Sequence, residues 1–160
     1  MVEATYNCIQ WLQKYKEETE KIKEVSPLLM MLGVSAGIEF MGKLLDTAPL
    51  DDKYNCETKF ERALTEFDSL KKYAGKQIYN LIRCGLAHRV SVKEGIVISN
   101  EKESNLDEIP IVINTNGFFD DFAKAVDDAQ VKKNWANTAT AQDYVTVKKE
   151  ADTGMTATFL

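Results

Sequence analysis

Residues 27–45, PLLMMLGVSAGIEFMGKLL, decide the fold, because this stretch is apolar on nearly every side of a helix. Ser26 and Pro27 make a standard helix start: a hydroxyl to cap the first free amides, then a proline where no amide hydrogen is needed. A helix apolar all round belongs at the centre of a bundle or in a membrane. The charge-free run over 25–38 is shorter than the roughly 20 residues that span a bilayer, so a protein core is the expected place. Gly33, Ala36 and Gly37 are small on adjoining positions. An interior glycine costs about 1 kcal/mol against alanine, so the cluster predicts close packing. The expected neighbour is another helix of the same chain, with a subunit seam as the alternative.

Upstream, residues 3–24 read as an amphipathic helix, with Cys8, Trp11, Leu12, Tyr15, Thr19 and Ile22 at helical spacing. Downstream, a polar loop around Pro49 leads to a third helical stretch that begins near Glu57. Its apolar face runs from Phe60 to Ile82, with a break allowed at 71–75, and the pattern changes around 85–90. Residues 90–99, VSVKEGIVIS, alternate and are β-branched; after the polar loop NEKESNLDE a second strand is predicted at 109–114. The pair reads as a small β-hairpin. A further helix follows near Asn116, with Phe118, Phe119, Phe122, Ala123 and Val126 apolar and Asp120 and Asp121 in its first turn. Residues 135–142 could add a short helix, and the end, from about 145 to 160, reads as a loosely ordered tail. The expected fold is mainly α: one domain over 1–160, a bundle of four to five helices with the hairpin inserted after the third helical stretch.

Length, 44% apolar and 28% charged content suit a globular domain. A net charge of −5 argues against coating nucleic acid or membrane with the whole surface. Cys8, Cys56 and Cys84 have no framework spacing, as expected of reduced thiols in a cytoplasmic protein, and no basic leader precedes an apolar run. Nucleotide P-loop, dinucleotide, serine-hydrolase and calcium-loop patterns are absent. With one histidine, His88, a two-histidine metal centre is impossible. Cys84 and His88 could share a helix face, but Cys8 and Cys56 stand in unrelated segments, so neither metal nor cofactor is expected.

The chemistry-bearing stretch is residues 79–89, YNLIRCGLAHR. From 71 to 93 there are six basic residues (Lys71, Lys72, Lys76, Arg83, Arg89, Lys93) and no acid, which leaves −11 for the rest of the chain. Positive charge gathered round the sole imidazole suits an anion. Arginine and histidine without metal suit phosphodiester chemistry on RNA: imidazole moves protons, and guanidinium grips phosphate bidentately. Arg83 and His88, five apart, would diverge by about 140° on an ideal helix. They converge only if the helix loosens near Gly85 or if two subunits share a cleft. The bland alternative has His88 and Arg89 closing a helix C-terminus, where cations meet the macrodipole. Glu39, the only acid over 27–45, is a candidate to orient Arg83, or else an exposed glutamate near its helix end. Lys72, Lys76, Tyr79, Asn80 and Arg89 are candidates to bind substrate, Tyr79 by stacking or else as core packing.

YNLIRCGLAHR resembles the Arg-x4-6-His motif of HEPN domains, short helical proteins found in RNases of toxin–antitoxin, phage-defence and CRISPR-associated systems. The flanks GIEFMGKLL and GFFDDFAKAV are similar too, so the resemblance covers roughly residues 5–130. It implies a homodimer whose two motifs face one cleft, metal-independent cleavage of RNA, and an antitoxin as a further partner, with no membrane. Arg83 would then bind phosphate and His88 would be catalytic. One position departs from the pattern: active members usually place Asn or Asp after the arginine, and here Cys84, a weak hydrogen-bond donor, stands there. The alternative expectation is a non-catalytic HEPN-like module that binds nucleotide, RNA or a protein partner.

Overall fold

The structure, a computed structural model, describes residues 2–50, 52–89, 93–132, 135, 144–150 and 154–159, and only the backbone at 2–6, 88–89, 144–150 and 154–159. The protein is mainly helical. In chain order the elements are β1 (Val2–Asn7), α1 (Cys8–Lys23), α2 (Pro27–Leu44), α3 (Cys56–Glu66), a 3-10 segment (Asp68–Tyr73) and a π-helical turn (Tyr79–Arg83) running into α4 (Cys84–Arg89). Then come β2 (Ile96–Ser99), β3 (Ile111–Asn114), α5 (Thr115–Val131), β4 (Tyr144–Glu150) and β5 (Gly154–Phe159).

Helix α2 is the central member. Ser26 caps it, its Oγ accepting from the Leu29 amide at 3.3 Å. It passes by length and hydropathy for a spanning helix, yet it buries Met30, Met31, Val34, Ile38, Met41 and Leu44 against α1, α3 and α5. The small residues serve this packing within the chain. A methyl placed on Gly37 would lie 2.5 Å from Phe122 of α5, and one on Gly33 would lie 3.1 Å from Thr19 of α1. Gly42 is tighter still: the methyl would fall 1.8 Å from the Lys59 carbonyl oxygen of α3. Phe60, Leu64, Tyr73, Ile82, Phe118 and Phe122 complete the core.

Several expectations need correction. The first helix starts at Cys8 rather than near residue 3, because Asn7 and Gln10 form a reciprocal cap: the Gln10 amide donates to Asn7 Oδ1 at 2.8 Å and the Asn7 amide to Gln10 Oε1 at 3.1 Å. Residues before it form β1, which pairs antiparallel with β4, and β4 pairs antiparallel with β5. Within the stretch read as a tail, 144–150 and 154–159 are strands of a three-stranded sheet, ordered β1-β4-β5. The predicted hairpin is not one: β2 and β3 run parallel, Ile96 opposite Ile111 and Ser99 opposite Asn114. The connecting loop crosses over and Asn105 bonds to the far side of β3, its amide donating to the Val112 carbonyl at 2.8 Å and its carbonyl accepting from the Val112 amide at 2.7 Å. Of the predicted 90–99 strand, 96–99 is a strand and 90–92 lies outside the described residues, as do most of 135–142. Asp120 and Asp121 sit in the second turn of α5, because Asn114 caps the helix three residues before Gly117, whose amide it accepts at 2.8 Å.

The third helical stretch breaks, over a wider span than the 71–75 expected. The α-helix stops at Glu66, the 3-10 segment carries the chain to Tyr73, and Gly75 and Gln77 take left-handed backbone conformations (φ 71° and 58°) before the helix resumes. Tyr73 pins this break to α5: its ring meets Phe118 edge-on at 4.8 Å and its hydroxyl donates to Asp121 Oδ2 at 2.7 Å.

Candidate functional site

Arg83 is the last residue of the π-helical turn, whose widened spacing shows in the Cys84 amide bonding back to the Tyr79 carbonyl. A π turn holds one residue more than an α turn, so it rotates the helix face beyond it by about 100°. Such turns gather at functional positions more than elsewhere in helices. Here the turn packs against α2 and α3. Tyr79 meets Phe60 edge-on at 5.5 Å, and the Asn80 side-chain amide donates to Glu57 Oε1 at 2.6 Å. Burial, and next the Glu39 carboxylate, push the Tyr79 phenol above its usual range, so it stays a neutral hydroxyl.

The guanidinium of Arg83 reaches α2. Its Nε donates to Glu39 Oε2 at 3.1 Å, and the Lys43 ammonium stands 3.8 Å from the other carboxylate oxygen. Glu39 is 8% exposed, so the sole acid of the core helix meets its charge partner where water is scarce. The candidate pairing read from the sequence is present. Among the described residues the two terminal nitrogens of Arg83 have no hydrogen-bond partner, which leaves the outer edge of the fork able to donate to an anion.

Arg83 also lines a cleft of about 230 Å³, walled among the described residues by Trp11 and Tyr15 of α1 and by Ala36, Gly37, Glu39, Phe40 and Lys43 of α2. Tyr15 is fixed by its hydroxyl, which donates to the Gly33 carbonyl at 2.9 Å, and Trp11 leans on it with ring centroids 6.2 Å apart. Burial raises the Tyr15 phenol, so it too is neutral. Trp11, Tyr15, Phe40 and Lys43 were not among the site residues expected from sequence. The signal was there: Trp11 and Tyr15 are four apart, and Ala36, Glu39, Phe40 and Lys43 recur at helical spacing on one face.

The basic window does not gather at this cleft. Lys71 pairs with Asp68 at 2.5 Å, Lys72 with Asp121 at 2.7 Å and Lys76 with Asp107 at 2.9 Å. Acid-free in sequence, the window is supplied with carboxylates in space. Neither Lys72, Lys76, Tyr79 nor Asn80 lines the Arg83 cleft. The helix widens over Tyr79–Arg83, and the backbone is α-helical from Cys84 to Arg89. The side chains of His88 and Arg89 lie outside the described residues. Cys84 is half-buried; the Cys56 thiol is pushed up by burial and by Glu39. Among the described residues, no three of His, Cys, Asp and Glu come together as a metal-ligand set.

Compared with protein-family profiles, curated proteins and solved structures, the chain matches none.

Proposed function

We propose that this chain is a HEPN-like endoribonuclease that cuts RNA without a metal from a cleft shared by two copies, with Arg83 on the scissile phosphate and His88 as general acid and base. The observation that carries the reading is the placement of Arg83: anchored through Nε by the nearly buried Glu39, lining a cleft, and five residues before His88 in the sequence. Neutral imidazole takes the 2′-hydroxyl proton as that oxygen attacks phosphorus. The imidazolium then protonates the departing 5′-oxygen, leaving a 2′,3′-cyclic phosphate and a 5′-hydroxyl. The guanidinium offsets the charge that grows on the phosphoryl oxygens. A toxin–antitoxin or phage-defence setting, with an antitoxin as partner, belongs to the same proposal and rests on the resemblance alone.

The second reading is a HEPN-like module that binds nucleotide or RNA without cutting it. Cys84 in the place of a polar neighbour favours it. One experiment separates the two. Single-stranded RNA is incubated with the protein in EDTA, and the products are analysed for cyclic phosphate. Under the first reading cleavage persists in EDTA, His88→Ala and Arg83→Ala abolish it in folded protein, and Cys84→Asn raises it. Binding with no cutting, in the wild type and in Cys84→Asn alike, leaves only the second.

A further inference from the structure

We infer that the Arg83 cleft is a subsite for one unpaired nucleotide of an RNA strand, its base held against the aromatic wall of Trp11, Tyr15 and Phe40 and its phosphodiester on Arg83 and Lys43. The inference rests on the RNA reading above and adds to it the residues that would read the base. Charge is the first argument. Glu39, Lys43 and Arg83 sum to one positive charge at the cleft wall, which matches the single negative charge of a phosphodiester better than the greater charge of a terminal phosphate. Shape is the second. A volume of about 230 Å³ is below the roughly 300–1,000 Å³ of pockets that take drug-sized ligands, so it accommodates one base rather than a stacked pair.

The wall is the third argument. Among the described residues, and apart from Glu39, Lys43 and Arg83, the lining is Trp11, Tyr15, Phe40, Ala36 and Gly37. The Tyr15 hydroxyl is held by the Gly33 carbonyl and its ring meets Trp11 at 6.2 Å, so Tyr15 loses little side-chain entropy when a flat group lies against it. Aromatic faces accept any base and gain about 1–3 kcal/mol per base stacked. Bases in an A-form duplex are already stacked and paired, so only a single-stranded loop, bulge or end can deliver one. The phosphate then falls to Arg83 and Lys43, which both line the cleft and share Glu39.

The test uses the full-length protein and two labelled hexamers: 2′-fluoro hexaadenylate, which cannot be cut by 2′-oxygen attack, and the same backbone stripped of its bases. Anisotropy titrations should show wild type binding the base-bearing strand about tenfold more tightly, the value of roughly 1.4 kcal/mol of stacking. Trp11→Ala and Phe40→Ala should each weaken that strand severalfold to tenfold and leave the abasic one unchanged. Trp11→Phe, which keeps a ring, should retain most of the preference and guards against a loss caused by misfolding. Arg83→Ala should weaken both strands. Equal binding of the two strands by wild type, with Arg83 still required, overturns the base subsite and leaves the RNA reading standing. Equal loss of both strands in Trp11→Ala and Trp11→Phe also overturns it. Failure of wild type to bind either strand removes the RNA reading, and the subsite with it.

Discussion

Glu39 shows how one carboxylate can set two properties of a site in opposite directions. It holds the Arg83 guanidinium in place through Nε, and it cancels part of the positive charge that an incoming phosphate would meet. Glu39→Gln keeps the size and a hydrogen-bond acceptor but removes the charge. Under the RNase proposal its RNA affinity should rise severalfold, because a competing anion is gone. Its cleavage rate should fall, on the order of 10²-fold where the loosened guanidinium drifts by about an ångström. Single-turnover cleavage beside equilibrium binding measures both; a variant that lost binding and cleavage in parallel would mean Glu39 has no positioning role. Of the residues in this pair, Glu39 was legible as a lone acid in an apolar helix seeking a cation. For the aromatic neighbours the sequence carried only their helical spacing, since nothing local in Trp11 or Phe40 distinguishes a cleft wall from a core contact.

At the scale of elements, close approach between α2 and its neighbours depends on glycines that differ in how much they can yield. A methyl on Gly42 would meet the backbone carbonyl of Lys59, which moves only if α3 moves. Gly42→Ala should therefore destabilise by about 1–3 kcal/mol or more, despite the better helix propensity of alanine. A methyl on Gly33 meets the tip of the Thr19 side chain at 3.1 Å, so Gly33→Ala should change stability little, the gain in propensity offsetting a small shift of that tip. Urea melts of the two variants decide it, and an equally stable Gly42→Ala would show that α3 is not seated as described. The clash is close because α3 is tied down at the same point: the Lys59 ammonium is 2% exposed and bonds Asp52 at 2.5 Å, with Asp46 3.9 Å away. The crowding of small residues was readable from sequence, but which glycine faces backbone and which faces a side chain follows from the crossing of helices.

For the whole molecule, two predictions concern protonation and assembly. Tyr73 and Tyr79 keep their protons in the folded protein well above the phenol range near about pH 10, chiefly through burial and then through Asp121 and Glu39 respectively. In the unfolded chain they ionise in that range. Their contribution to stability is thus complete below about pH 10 and is lost as pH rises through the folded values. Thermal midpoints should fall with pH above about 10, and Tyr73→Phe should be less stable at neutral pH while falling less steeply in alkali; an unchanged alkaline slope would dissociate Tyr73 from it. Assembly follows from the proposed function. The proposed cleft is shared by two copies, so the protein should be a two-fold dimer at micromolar concentration. A monomer by light scattering would remove the composite site.

What the chain declares locally is its helices. Ser26 before Pro27, Asn114 before Gly117 and the 3.6-residue period of α1 and α5 are written within a turn or two of where they act, since helical hydrogen bonds and caps join near neighbours. Strand partners carry no such record. Residues 2–7 have the same composition whether they extend α1 or lie beside 144–150, and the 96–99 and 111–114 segments have the same alternation whether they run parallel or antiparallel. Charge behaves as the strands do. The acid-free window over 71–93 suggests a bare cationic face, and only the folded chain brings Asp121 to Lys72 and Asp107 to Lys76. The same holds for the cleft at Arg83, whose walls come from residues 11–15 and 36–43. Local periodicity places a side chain on a face of its own element; which distant segment that face meets is decided by packing the whole chain around one core.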